Sequence, residues 1–339
     1  MPARERGAMT QTAHPLTPAP SAAHRPSLLR RVLRVLAVVA CLPYISLKVV
    51  WVAGGEIGIP AGSELLEHRT LLAVANSVSV LADAAVIVLA LLLTQAWGLR
   101  VRAWLLAFPM WAATGLLAPI MAGYPAQLAI ALLTGDERAA APSEPFLDDW
   151  VFAVVYGGFI LQGLSLGTLF ALYARDRWGH VWRGRLGELS ARTSGPGVRA
   201  AALAGAVAAL VPAAVELLWL SGSATGLSAQ RAAERDTDFY VLTAIQLAFL
   251  VTAVVFTLFL VLRRPARLGV RPVLAVAWVS TGAVGCWGAY MSLVSLQPQA
   301  DVLKQVTALA RLSYAGEMIT GFLLAACVAF FLRRRSAEV

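Results

Sequence analysis

The feature that most constrains this chain is a series of eight apolar runs, at about residues 33–53, 71–93, 103–123, 150–173, 200–220, 239–262, 273–296 and 313–332. Each is near the roughly 20 residues that a helix needs to cross about 30 Å of hydrocarbon. With 59% hydrophobic and 14% charged residues, the chain is far from the balance of a soluble domain. The expected fold class is therefore all-α, a polytopic membrane protein with eight transmembrane helices in contact with the lipid bilayer.

The net charge of +9 is distributed in a way that argues against a nucleic-acid face. Arginines gather in alternate loops. Arg25, Arg30, Arg31 and Arg34 precede the first run, Arg100 and Arg102 follow the second, and Arg175, Arg177, Arg183, Arg185, Arg192 and Arg199 follow the fourth. Arg263, Arg264, Arg267 and Arg271 follow the sixth, and Arg333, Arg334 and Arg335 the eighth. Basic loops stay on the cytoplasmic side, so both termini are expected in the cytoplasm of a multi-pass cell-membrane protein. The opposite loops hold most of the acids: Glu56, Glu64 and Glu67, then Asp136, Glu137, Glu144, Asp148 and Asp149, then Glu234, Asp236 and Asp238.

Residues 1–29, rich in Pro, Ala, Ser and Arg without apolar periodicity, read as a disordered cytoplasmic tail. Two membrane units are expected over 30–173 and 199–335, separated by a basic cytoplasmic linker, 174–198, and followed by a short tail, 336–339. In the linker Trp178, Val181, Trp182, Leu186 and Leu189 recur at helical spacing among arginines. That pattern fits a helix lying on anionic lipid, with Arg175, Arg177, Arg183 and Arg185 at the headgroups, or a helix packed on the bundle. Cys41, Cys286 and Cys327 lie within spans without CxxC or His pairing, which points to apolar packing rather than a disulfide or metal site.

The two halves echo one another. "KVVWVAGGEIG" recurs 168 residues later as "ELLWLSGSATG", placing Glu216 opposite Lys48, Trp219 opposite Trp51, Gly222 opposite Gly54 and Gly226 opposite Gly58. "WAATG" at Trp111 recurs as "WVSTG" at Trp278, and "YGGFILQG" at Tyr156 as "YAGEMITG" at Tyr314, always in the same order. The expected architecture is two four-helix repeats. Because four is even, the repeats run parallel and are related by an axis along the membrane normal.

The stretch "LPYISLKVVWVAGGEIG", Leu42–Gly58, resembles a segment of uncharacterised polytopic integral membrane proteins of actinobacteria, in which Pro, a basic residue, Trp and Gly-Gly close an early span. The resemblance covers about 17 of 339 residues and implies a membrane class without a chemistry.

Four ionisable residues fall inside the expected spans: Lys48, Asp83, Glu216 and Glu317. A charge at the bilayer centre costs about 2.5–3.5 kcal/mol on insertion scales, so such residues mark functional sites by default. At about 1.5 Å per residue, Lys48 and Glu216 lie roughly 8 Å, and Glu317 roughly 6 Å, below the outer ends of their helices. Lys48 is therefore able to snorkel outward along its butyl stem, with Trp51 and Trp219 as interfacial belt residues and the following glycines as helix terminators. The repeat offers a different use, an ion pair between Lys48 and Glu216 at the junction of the halves. Asp83, about 18 Å from its helix end, is too deep to snorkel and needs a partner, a cation, water or a proton. Small residues in spans four and eight (Gly157, Gly158, Gly163, Gly167, Ala315, Gly316, Gly321) suit close helix packing, with Gln162 and Thr320 as hydrogen-bonding groups in that contact.

No HExxH, P-loop or nucleophile elbow is present, and Asp148 and Asp149 suit a helix start better than a catalytic pair. No catalytic residue, cofactor or metal is indicated. The leading reading is a non-catalytic membrane component, such as a subunit, scaffold or immunity-type protein with a membrane-protein partner. The alternatives are a small-solute or cation permease with an outward-opening polar cavity, and a membrane-embedded enzyme using scattered acids.

Overall fold

The computed structural model describes residues 27–61, 63, 69–135, 147–297 and 301–338. Eight helices among them are long and apolar enough to cross a membrane. These are α1 (Leu28–Val52), α2 (Arg69–Thr94), α3 (Ala103–Thr134), α4 (Asp149–Trp178), α5 (Pro196–Leu220), α6 (Thr237–Leu262), α7 (Val270–Val294) and α8 (Ala308–Glu338). Among the described residues the only pairing of strand type is an isolated bridge between Arg185 and Gly269. The protein is an all-α polytopic membrane protein. Most of the expected tail, and the acids Glu64, Glu67, Asp136, Glu137 and Glu144, lie outside the described residues.

The helix ends follow local chemistry. α1 starts five residues before its apolar run, because Arg30, Arg31 and Arg34 extend it beyond the hydrocarbon and Arg30 pairs with Asp176 on α4. α3 continues eleven residues past the expected end at 123, through Pro119 and Pro125, to a left-handed Gly135. α5 is interrupted at Ala209, between Pro196–Ala208 and Leu210–Leu220. Pro212 supplies no N–H to the carbonyl of Ala208, so the ladder is broken there.

α1 packs on α2 and α4, and α4 also meets α3; in the second half α8 packs on α5, α6 and α7. α7 is the most enclosed helix, with 56% of its apolar window buried against at most 39% elsewhere. It lies between α3 and α8, and the two halves join chiefly along α3 and α7. A side chain added to Gly115 would come within 2.3 Å of the Gly282 backbone, so only two glycines permit this approach. Around the crossing, Trp111 Nε1 donates to Thr281 Oγ1 and Trp278 Nε1 donates to Thr114 Oγ1, both at 3.2 Å. A second close approach, Gly285 to Gly321, joins α7 to α8.

The linker corrects an expectation. It is not a surface helix: after α4 it forms a turn and two short 3₁₀ segments, Leu186–Glu188 and Ala191–Thr193. Three glycines interrupt its apolar stretch between Trp178 and Leu189, and Gly184 at φ +92° lies outside right-handed helical space. Its apolar residues pack inward instead, with Val181 buried and with Leu186 and Leu189 buried against α6, α7 and α8. Backbone bonds from Leu186 to Leu268 (2.9 Å) and from Gly187 to Ala266 (3.1 Å) stitch it to the α6–α7 loop. Arg177 is also committed to protein, donating to the Val101 carbonyl at 2.8 Å, whereas Arg175, Arg183 and Arg185 are exposed.

Of the small residues in α4 and α8, Gly158, Gly163, Gly316 and Gly321 face neighbouring helices, while Gly157 and Gly167 face open space. Gly115→Val should therefore destabilise the protein by about 1–3 kcal/mol or more through overpacking. Gly157→Ala should stay within about 0.5 kcal/mol. Thermal midpoints in detergent check both, and an unshifted midpoint for Gly115→Val contradicts the crossing.

Candidate functional site

The first four helices enclose a polar cluster. Cys41, Tyr44 and Lys48 share one face of α1, Asn76, Ser79 and Asp83 share one face of α2, and Gln162 approaches from α4. Cys41, Lys48, Asn76, Asp83 and Gln162 are all buried. Gln162 Nε2 donates to Cys41 Sγ at 2.9 Å and its side chain is within hydrogen-bonding reach of Asp83. Ser79 stands in the same relation to the Tyr44 hydroxyl. Aromatic contacts back the cluster, Tyr44 edge-on to Phe159 and Tyr124 stacked on Tyr156, each with ring centroids 5.0 Å apart.

Lys48 does not snorkel. Its ammonium lies 4.5 Å from the centroid of the Tyr44 ring, one turn back toward the N-terminus of α1, and 5.8 Å from that of Trp51. Helical Cα–Cβ bonds tilt toward the N-terminus, which here leads deeper into the bundle. There the ammonium and the Asp83 carboxyl attract one another. Among the described residues Lys48 has no ion pair within 4 Å, and Asp83 Oδ2 and Asn76 Nδ2 have no hydrogen-bond partner.

Trp51 and Trp219 are not belt residues either. Both are 6% exposed. Each indole closes the turn that follows its helix, Trp51 Nε1 donating to the Ile57 carbonyl at 2.8 Å and Trp219 Nε1 to that of Thr225 at 3.0 Å. Gly54 and Gly222 both take φ +90°, and Gly58 and Gly226 take +75° and +80°, conformations that glycine adopts without a Cβ clash. The two turns match bond for bond: Gly54 to Trp51 with Gly222 to Trp219, and Ile59 to Glu56 with Leu227 to Ala224.

A second polar cluster lies among α5, α6 and α8. Glu216 and Glu317 bring their carboxyl groups within hydrogen-bonding distance, and Gln246 Nε2 donates to Glu317 Oε2 at 3.0 Å. Glu216 is 2% and Glu317 5% exposed, and Glu216 Oε2 has no partner. Because α8 begins at Ala308, Glu317 lies about 14 Å into its helix at 1.5 Å per residue, deeper than the apolar run suggested. Thr320 bonds to the Gly205 carbonyl of α5 at 3.4 Å, as Gln162 bonds to α1.

The expected pair of Lys48 with Glu216 is therefore corrected. Each charge belongs to the cluster of its own half, Lys48 with Asp83 and Glu216 with Glu317. The pairing assumed that α1 and α5 line the junction, but α3 and α7 occupy it, and α1 has no extended contact with α5. No family model, curated protein or solved structure matches the chain.

Gln162 was legible only as a packing group, and Asn76, Ser79, Gln246 and Ser313 gave no warning as single residues. Their signal is periodic. Asn76, Ser79 and Asp83 recur at i, i+3 and i+7, as polar residues lining one face of an otherwise apolar helix do, and Ser313, Glu317 and Thr320 recur at i, i+4 and i+7. Asp148 occupies the N-cap position of α4, where one carboxylate oxygen accepts from the Trp150 indole at 3.3 Å. Among the described residues no three His, Cys, Asp or Glu side chains gather as metal ligands.

Charge exchange separates the two pairings. Lys48→Glu places two acids together and is expected to lower the yield of folded protein in detergent. Adding Asp83→Lys should restore it and adding Glu216→Lys should not; rescue by Glu216→Lys alone refutes the assignment.

Proposed function

We propose that this protein is a small-solute or cation permease of the cell membrane, with both termini cytoplasmic and with two tandem four-helix units as its scaffold. The arginine-rich alternate loops support the orientation. The matched turns after α1 and α5 and the reciprocal Trp–Thr bonds between α3 and α7 support the tandem reading, since a two-fold relation turns one such bond into the other.

The observation that carries the permease reading is the gap between Lys48 and Asp83. A buried ammonium and a buried carboxylate that only held helices together would close onto one another, because each pays heavily for desolvation and recovers it by direct contact. Here they face each other without contact, with Asp83 Oδ2 and Asn76 Nδ2 unpartnered beside them. A solute or water that accepts from the ammonium and donates to the carboxylate completes the site. Asn76, two turns from Asp83 on the same face of α2, extends the polar lining toward the loop that joins α1 to α2. A scaffold or subunit has no use for such open valences.

Cysteines placed singly at 76, 83 and 251 in a background lacking Cys41, Cys286 and Cys327 test the reading. A hydrophilic, membrane-impermeant thiol reagent should label 76 and 83 in sealed vesicles and leave 251, which faces lipid, unlabelled. Small neutral or zwitterionic solutes that carry both donor and acceptor groups should raise the thermal midpoint of the native protein and not of Asp83→Asn. Unlabelled 76 and 83 in variants that elute as folded protein favour the non-transporting component instead.

A further inference from the structure

The second cluster holds two acids on different helices at hydrogen-bonding distance. Two carboxylates cannot hydrogen-bond to each other, because both are acceptors only; the contact requires a proton on one of them. We propose that Glu216 and Glu317 form a proton-binding site, a carboxyl pair that holds one proton between α5 and α8.

Several features of the surroundings support a proton over a packing contact. Glu216 Oε2 is buried without a partner, and so is Ser313 Oγ, one turn from Glu317 on the same face of α8. Gln246 directs an N–H at Glu317 Oε2 and thereby orients that carboxyl. Room for it is made by Gly288 on α7, where a Cβ would lie 2.8 Å from that of Glu317. On the packed elements the other ionisable groups are Asp238 and Tyr240 at the start of α6, Cys286, Tyr290 and Arg271 on α7, and Arg311 and Tyr314 on α8, with Cys327, Arg333, Arg334, Arg335 and Glu338 ten or more residues further along α8. Arg199 lies in the first turn of α5, at the opposite end from Glu216. Tyr314, one turn from Glu317, accepts from Arg231 at 2.9 Å, so that guanidinium is engaged by the tyrosine rather than by the pair. No cation among the described residues neutralises the two acids, and the proton is the smallest charge that does.

When the proton leaves to water, both groups become carboxylates and repel, pressing α5 away from α8; when it returns, the hydrogen bond draws them together. α5 is suited to respond, because its ladder is already broken at Ala209, between Arg199 and Glu216. As a coupling site for transport, this assignment rests on the permease reading. As a proton site it does not.

The test therefore uses purified protein and no transport. Dicyclohexylcarbodiimide reacts with protonated carboxyl groups in apolar surroundings, and adducts are mapped by mass spectrometry across a pH series. The expected result is an adduct on Glu317 or Glu216 whose yield falls at least several-fold as the pH is raised. In Glu216→Gln the adduct at Glu317 should fall several-fold at a given pH, because the amide donates to the carboxylate in place of the shared proton. Infrared spectra should also show a protonated-carboxyl C=O band that Glu216→Gln combined with Glu317→Gln removes. A yield independent of pH, or no such band in protein that remains monodisperse, overturns the proposal. Adduct suppression by sodium at constant pH overturns it in favour of a metal cation. None of these outcomes bears on labelling at residues 76 and 83, so the two proposals fail separately.

Discussion

The structure depends on one crossing. Where α3 meets α7, Gly115 and Gly282 let two backbones approach to a distance that no side chain tolerates. In a bilayer the lipid tails are as apolar as the helices, so association rests on close packing and on interhelical hydrogen bonds rather than on expelling water. The crossing supplies both, since Trp111 and Trp278 each reach across to a threonine of the other helix. With α3 and α7 forming the junction, α1 and α5 are left to build separate clusters with the second and fourth helices of their own halves. The position of every buried charge follows from that.

The membrane class and the eight spans were legible in the sequence, because run length is a direct consequence of bilayer thickness. Helix ends were less so. α3 outran its apolar run, since proline at 119 and 125 did not stop a helix whose freed carbonyls other groups can satisfy. The linker failed for the opposite reason. Its apolar spacing was helical, but Gly184 requires a left-handed conformation, and a glycine's φ is set by the tertiary path rather than by a period. What the period did report was which side chains pack inward.

The site was half legible. Depth and charge picked out Lys48, Asp83, Glu216 and Glu317, while Lys48 and Glu216 were paired with each other and Asp83 and Glu317 were left without a partner. Sequence equivalence between Lys48 and Glu216 implies equal depth, and equal depth is not proximity. Which equivalent helices touch across an axis is decided by where the smallest residues lie. "WAATG" and "WVSTG" carried that information, as the only echo that itself holds both a tryptophan and a mid-span glycine.

The contrast between the two clusters constrains what each is able to do. Lys48 and Glu216 each stand three residues before the tryptophan whose indole closes the turn after its helix, yet one bears an ammonium and the other a carboxyl. A lysine opposite an aspartate leaves a net-neutral gap that suits a solute with both donor and acceptor groups. A glutamate opposite a glutamate leaves a net-negative contact that only a cation or a proton relieves. Had both halves kept the same charges, the scaffold would offer two like sites and no reason for one to respond to the other. In the proposed permease, a helix motion driven at Glu216 and Glu317 reaches Lys48 and Asp83 through the α3–α7 crossing, the main contact between the first four helices and the last four. The crossing is tight enough to move as a unit, because a backbone contact without side chains has no rotamers in which to absorb the displacement.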